Sequence, residues 1–188
     1  ISACLVGSEM CIRDSHSSRV FGLAGNPTVS IADLTVANGW ISGSPGGGIY
    51  DAGGTLTLDR VAVSGNEASG AYGGDGQGGG LYVAGGSLTL DHSTLSGNVA
   101  HGTDGYDYQG GSYVPAGSAA GGGLYVAGGM VYVNQSTLSG NQAVGGNGNP
   151  ADACSGPSAG DGAQGEGGGL YVAAGAVSID NSTFSANG

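Results

Sequence analysis

Few side chains in this sequence could do chemistry, and they form two groups. The first is a set of carboxylates at matching places: Asp59 ends "TLTLD", Asp91 ends "SLTLD" and Asp180 ends "AVSID", while Asn134 ends "MVYVN". Arg60, His92, Gln135 and Asn181 follow directly after them. Two placed carboxylates could hydrolyse a glycosidic bond, and a base beside a cation could eliminate across a uronate. Against both readings, Asp and Asn interchange freely at turns, and the position after them holds four different residue types. The repeats also contain no Lys and only one Arg, Arg60. The register therefore reads as turn chemistry, and no catalytic residue is assigned. His16, His92 and His101 share no metal-ligand spacing, so no metal site is assigned either.

The second group lies in "GTDGYDYQGGSYVPAG", where Tyr106, Tyr108 and Tyr113 accompany Asp104 and Asp107. Tyrosine presents an apolar ring and a hydroxyl, which suits stacking on a sugar or gripping a protein. These five residues are the candidate ligand-binding set. Asp75, Asp104, Asp107, Asp152, Asp161 and Glu166 lie in comparable segments. Their hard oxygens would suit Ca2+, although neither an EF-hand loop nor a Gly-Gly-x-Gly-x-Asp series is present. Acidic loops also keep a sheet-rich repeat protein soluble.

A repeat must position both groups. "GGGLYVAGGSLTLDHSTLSGN" spans 78–98, and close copies span 46–66, 121–141 and 167–187. Inside each copy the apolar residues alternate, as in Leu81 and Val83, then Leu88 and Leu90. That period of two marks strands rather than helix. Gly pairs and Asx residues punctuate them, so each copy reads as three short strands joined by tight turns. One such unit cannot bury its apolar face alone, and stacking copies builds a continuous core. The expectation is an all-β, right-handed parallel β-helix of the pectin-lyase-like kind, with coils about 4.8 Å apart.

Stacking predicts ladders. Leu56, Leu88, Val131 and Val177 form one inward file; Leu58, Leu90, Val133 and Ile179 form the next; Val63, Leu95, Leu138 and Phe184 form a third. Asn66, Asn98, Asn141 and Asn187 stack at a turn, where amides can bond one another. Tyr50, Tyr82, Tyr125 and Tyr171 stack outside. A partial coil over 29–38 precedes them, with Asn38 as its turn asparagine. From each turn Asn to the next Gly triplet the gap grows from 7 residues to 11, 22 and 25. Segments 67–77, 99–120 and 142–166 are thus insertion loops leaving one corner. Insertions on one side of a solenoid often form its binding face.

Composition narrows the partners. Acidic residues outnumber basic ones by 14 to 3, for a formal net charge of -11, which argues against nucleic acid. No run of about 18 apolar residues spans a bilayer. The 44 glycines cluster in the triplets and insertions.

Two resemblances follow from these residues. "GGGIY", "GGGLY", "VSGN", "LSGN" and "FSAN" resemble the GGA(I/L/V) and FxxN motifs of the polymorphic outer-membrane protein repeat family, over residues 17–188. Gly stands here where the family has Ala, and only the last copy has Phe. The resemblance implies a secreted or surface-displayed bacterial stalk or passenger, often adhesive, with a carbohydrate or a host or neighbour cell-surface protein as partner. It implies no catalytic residues and no cofactor. The alternative is a β-helix polysaccharide lyase or glycoside hydrolase whose catalytic coils lie outside 16–188. Residues 1–15, "ISACLVGSEMCIRDS", resemble a translated sequencing adapter. They lack the basic start, apolar core and cleavage site of a signal peptide, and are set aside from fold reasoning. On that reading 16–188 is a fragment of a longer extracellular or outer-membrane protein.

Overall fold

The computed structural model describes residues 2–6, 9–13, 18–108, 112–148 and 161–188, with side chains for 18–106, 113–148 and 161–188. It is all-β, and the chain winds as a parallel β-helix. Three sheets arise from the three strands of the repeat. The first stacks Phe21–Leu23, Ile49–Asp51, Leu81–Val83, Leu124–Val126 and Leu170–Val172. The second stacks Thr28–Ala32, Thr55–Asp59, Ser87–Asp91, Met130–Asn134 and Ala176–Asp180. The third stacks Leu34–Ala37, Ala62–Ser64, Thr94–Ser96, Thr137–Ser139 and Thr183–Ser185.

The register places Leu56, Leu88, Val131 and Val177 in one file and Leu58, Leu90, Val133 and Ile179 in the next. Val63, Leu95, Leu138 and Phe184 make the third. Members from the middle coils are fully buried. Period-two alternation sends every second side chain inward, and a shift of one residue would expose the whole set.

The coil before Ile49 is fuller than a partial one. Val29 and Ile31 pair with Leu56 and Leu58, and Phe21–Leu23 and Trp40–Ser42 add a first-sheet strand and a further strand. Its turn is displaced by one residue from the reading above. Val36 pairs with Val63 and Ala37 with Ser64, so Asn38 aligns with Gly65 and Gly39 takes the asparagine's place. Asn38 and Gly65 both have left-handed φ, 58° and 61°. Asn tolerates that conformation, which explains the exchange.

The insertion segments also hold more structure than loops. Each opens on a strand of a fourth sheet that joins Trp40–Ser42, Glu67–Ser69, Val99–His101 and Gln142–Val144. Each closes on a strand of a fifth, formed by Gly76–Gln77, Ala119–Ala120 and Gly165–Glu166. Sequence periodicity misses them because only small residues turn inward: Ala100, Ala119 and Ala143 form a separate buried cluster.

The Gly triplet passes through a gap with no room for side chains. A Cβ on Gly80 would lie 2.6 Å from the Gly123 carbonyl oxygen and 2.9 Å from the Asn98 amide. The third triplet position therefore takes Gly against the Asn column, where the resembling family has Ala. At the amino-terminal side, Ser2–Val6 and Glu9–Arg13 pair antiparallel, and Glu9–Arg13 adds to Leu34–Ala37. An open strand edge offers unpaired backbone groups that another strand can satisfy.

Candidate functional site

Four outward tyrosines form a continuous stack on the first sheet. Ring centroids are 5.4 Å apart for Tyr50 and Tyr82, 5.0 Å for Tyr82 and Tyr125, and 5.2 Å for Tyr125 and Tyr171. The first two pairs are nearly parallel, at 8° and 10°, and the last splays to 28°. Gly22 aligns with Tyr50 and has no ring to contribute. The Arg19 side chain runs beside that glycine and sets its guanidinium 4.8 Å from the Tyr50 centroid. It also donates to the carbonyls of Pro45 and Gly46. The tyrosine column thus already receives one cation.

The insertion ends bring a polar wall to this column. Asp75, Gly76, Gln77, Ser118, Ala119, Ala120, Gln164 and Glu166 enclose a cleft of about 300 Å³ with Tyr125 and Tyr171. Gln77, Ala120 and Glu166 share one register position on three successive coils. The methyl group of Ala120 leaves space that its longer column-mates would fill. Asp75 accepts the Ser118 N–H at 2.8 Å. Tyr125 is pushed above the usual phenol range, mainly by burial, with Tyr82, Tyr171 and Asp75 adding to it. Tyr171 is raised chiefly by its hydrogen bond to the Glu166 carboxylate. Both phenols stay protonated at neutral pH. The formal charges on the cleft wall, Asp75 and Glu166, are negative.

The residues singled out in 99–120 are arranged otherwise. Tyr106–Tyr108 and Ser112–Val114 pair antiparallel, with Tyr106 opposite Val114 and Asp107 opposite Tyr113. Alternation sends Tyr106 and Tyr113 to opposite faces, so they do not build one ligand surface. Asp104 accepts two hydrogen bonds from Asn147, from the backbone N–H at 2.7 Å and from Nδ2 at 3.1 Å. It ties one insertion to the next. The side chains of Asp107 and Tyr108 lie outside the described residues, as does Asp152.

Cross-coil registration also assembles groups that linear spacing hides. Oxygens of Asp59 and Asp91 and a His92 ring nitrogen lie within 4.8 Å of one another. Arg60 lies among them and bonds Asp33 and Asp59. Asn134 donates to Asp91 at 2.6 Å, and this bond, with that from His92, holds Asp91 below the usual carboxylate range. These are turn contacts on an exposed corner. The loop acids considered for Ca2+ contribute none of this group.

The Asn file is a bonded column. Asn98 Oδ1 accepts from Asn66 N–H at 3.0 Å and from Asn66 Nδ2 at 2.9 Å. Asn141 does the same for Asn98, and Asn187 for Asn141. The Gly39 N–H supplies the donor at the start. A second column escaped sequence reading: the Val61 N–H donates to Ser93, Ser93 N–H to Ser136, and Ser136 N–H to Ser182. Its signal was the invariant place of Ser in "HSTLS", "QSTLS" and "NSTFS". No helix among the described residues is long and apolar enough to cross a membrane. Comparison with family models, curated proteins and solved structures finds no match to this chain.

Proposed function

We propose that this chain belongs to a secreted or surface-displayed bacterial β-helix protein, with a non-catalytic adhesive or structural role. The observation that supports this best is the division of labour around the coil. On the repeat side, polar side chains are spent within ladders: the Asn and Ser columns bond along the axis, and at the corner Arg60 bonds Asp33 and Asp59 while Asn134 bonds Asp91. On the insertion side, unlike polar residues converge beside Tyr125 and Tyr171. A rigid, repetitive body carrying one variable, concave side is what an adhesive stalk needs. The resemblance of the repeats to outer-membrane protein repeats points the same way.

The test is an array of glycans and extracellular-matrix proteins probed with the purified chain. Binding to one ligand class, lost in a variant carrying Tyr125→Ala and Tyr171→Ala that still melts cooperatively, is expected. Absence of binding to every ligand, or binding unaffected by both changes, would count against adhesion through this side.

A further inference from the structure

We propose that the cleft beside Tyr125 and Tyr171 receives a guanidinium group, carried by an arginine side chain of a partner protein; this rests on the adhesive reading above. Acceptors dominate the lining. Asp75 keeps one oxygen beyond the Ser118 N–H bond, Glu166 keeps one beyond its bond from the Tyr171 hydroxyl, and Gln77, Gln164 and Ser118 add neutral polar atoms. The charges on this wall are both negative. Within the molecule, Arg19 shows how this surface holds a guanidinium. At the far end of the same column its guanidinium stacks on Tyr50 and donates to two carbonyls. Aromatic ring plus oxygen acceptors is therefore a combination this surface uses for a guanidinium. The cleft offers carboxylates in place of carbonyls, which strengthens hydrogen bonds from a cation; both faces of Tyr125 are already stacked on Tyr82 and Tyr171, so the acceptors, not that ring, hold the guanidinium. Its volume, about 300 Å³, admits the head of one arginine and part of its alkyl stem.

Long-range charge favours the same occupant. A chain with net charge -11 and no Lys repels anions and draws basic segments toward it, an effect that salt screens. Anionic glycans are disfavoured on the same ground. A neutral sugar could meet the polar wall, but it would leave the two carboxylates uncompensated by charge.

The experiment is a calorimetric and NMR titration of the purified chain with a short Gly-Arg repeat peptide. The control is the same peptide with citrulline, whose urea group keeps the shape and loses the charge. The arginine peptide is expected to bind at least tenfold more tightly than the citrulline peptide, with affinity falling as salt is raised. Asp75→Asn and Glu166→Gln should each weaken it about tenfold, the loss expected for a charge-assisted hydrogen bond. Ala120→Gln should block it by filling the gap; the change matches Gln77 in the same column, so folding should survive. Equal binding of the citrulline peptide, or binding unchanged by Ala120→Gln, would overturn the proposal. So would capture of amino-sugar oligomers with none of the peptide. If a neutral glycan bound the array through Tyr125 while the arginine peptide did not, the adhesive reading would stand and this inference would fall.

Discussion

Replacing Asn98 by Ala removes four hydrogen bonds in the centre of the column. Two enter Oδ1 from the backbone and side chain of Asn66. Two leave Nδ2, for the Val63 carbonyl and Asn141 Oδ1, each at 2.9 Å. The partners do not suffer equally. Asn66 Nδ2 keeps its bond to Val36, and Asn141 Oδ1 keeps the Asn98 N–H. The Asn66 N–H, in a residue with no exposed surface, loses its side-chain acceptor. An orphaned buried donor costs about 1–3 kcal/mol and each of the other bonds about 0.5–1.5 kcal/mol. The sum is about 2.5–7.5 kcal/mol. Asn187→Ala should cost less, because Asn187 is only half-buried and water can replace its three bonds. Urea unfolding followed by far-UV circular dichroism reads the difference. With a slope of roughly 2 kcal/mol per molar, Asn98→Ala should lower the midpoint by about 2 M. Asn98→Asp should be worse at pH 7, since it sets a carboxylate oxygen against the Val63 carbonyl. Its folded pKa would lie above the unfolded one, so stability should return as pH falls through the folded value. A loss under about 1 kcal/mol for Asn98→Ala, or an equal loss at Asn187, would refute the claim that the amide column holds the coils together.

Four further outcomes are expected. Asp51 sits in the file of Val83, Val126 and Val172, fully buried with one carboxyl oxygen lacking a partner. Burial raises its pKa against the opposing effect of the Gly53 N–H, so wild-type stability should fall as pH rises from the unfolded pKa toward the folded one; Asp51→Val should flatten that slope and raise the urea midpoint at pH 7. Gly80→Ala should destabilise by several kcal/mol, since its Cβ meets backbone and the Asn98 amide, and a thermal melt would show it. Leu88→Ala should cost about 3–5 kcal/mol by urea melt, because Leu88 is fully buried in the second-sheet file. Arg60→Ala should leave the melting midpoint almost unchanged, because its ion pairs with Asp33 and Asp59 are solvent-exposed and screened.

Legibility in the sequence tracked repetition. The three apolar files, the tyrosine stack and the asparagine column could be written from spacing alone, because 21-residue copies in constant register bring identical residues over one another. Reading failed where a residue broke the pattern or where the pattern was made of small residues. Asn38 looked like a column member because it follows "LTVA" as asparagines follow the other strands, but strand pairing decides register and moved it one place. Within the insertions the fourth- and fifth-sheet strands read as loops because their inward residues are Ala and Gly, which carry little hydrophobic signal. Ser93, Ser136 and Ser182 give no signal in the sequence beyond their constant place, since a serine near a turn suggests nothing until a backbone N–H from the neighbouring coil points at it.

By itself, then, the sequence determined the winding. Period-two apolar strands, turns of Gly and Asx, and equal copies leave stacking as the way to bury every apolar face. Tertiary structure decided where the insertions return, and with that the site. Tyr125, Asp75 and Glu166 belong to three different coils, and their approach depends on paths through segments that share no length and no pattern. Contacts of that kind are set by the closing of each insertion against its neighbours, for which linear spacing carries no information. Linear proximity points to Tyr106, Tyr108 and Tyr113, while the cleft forms from residues far apart in the chain.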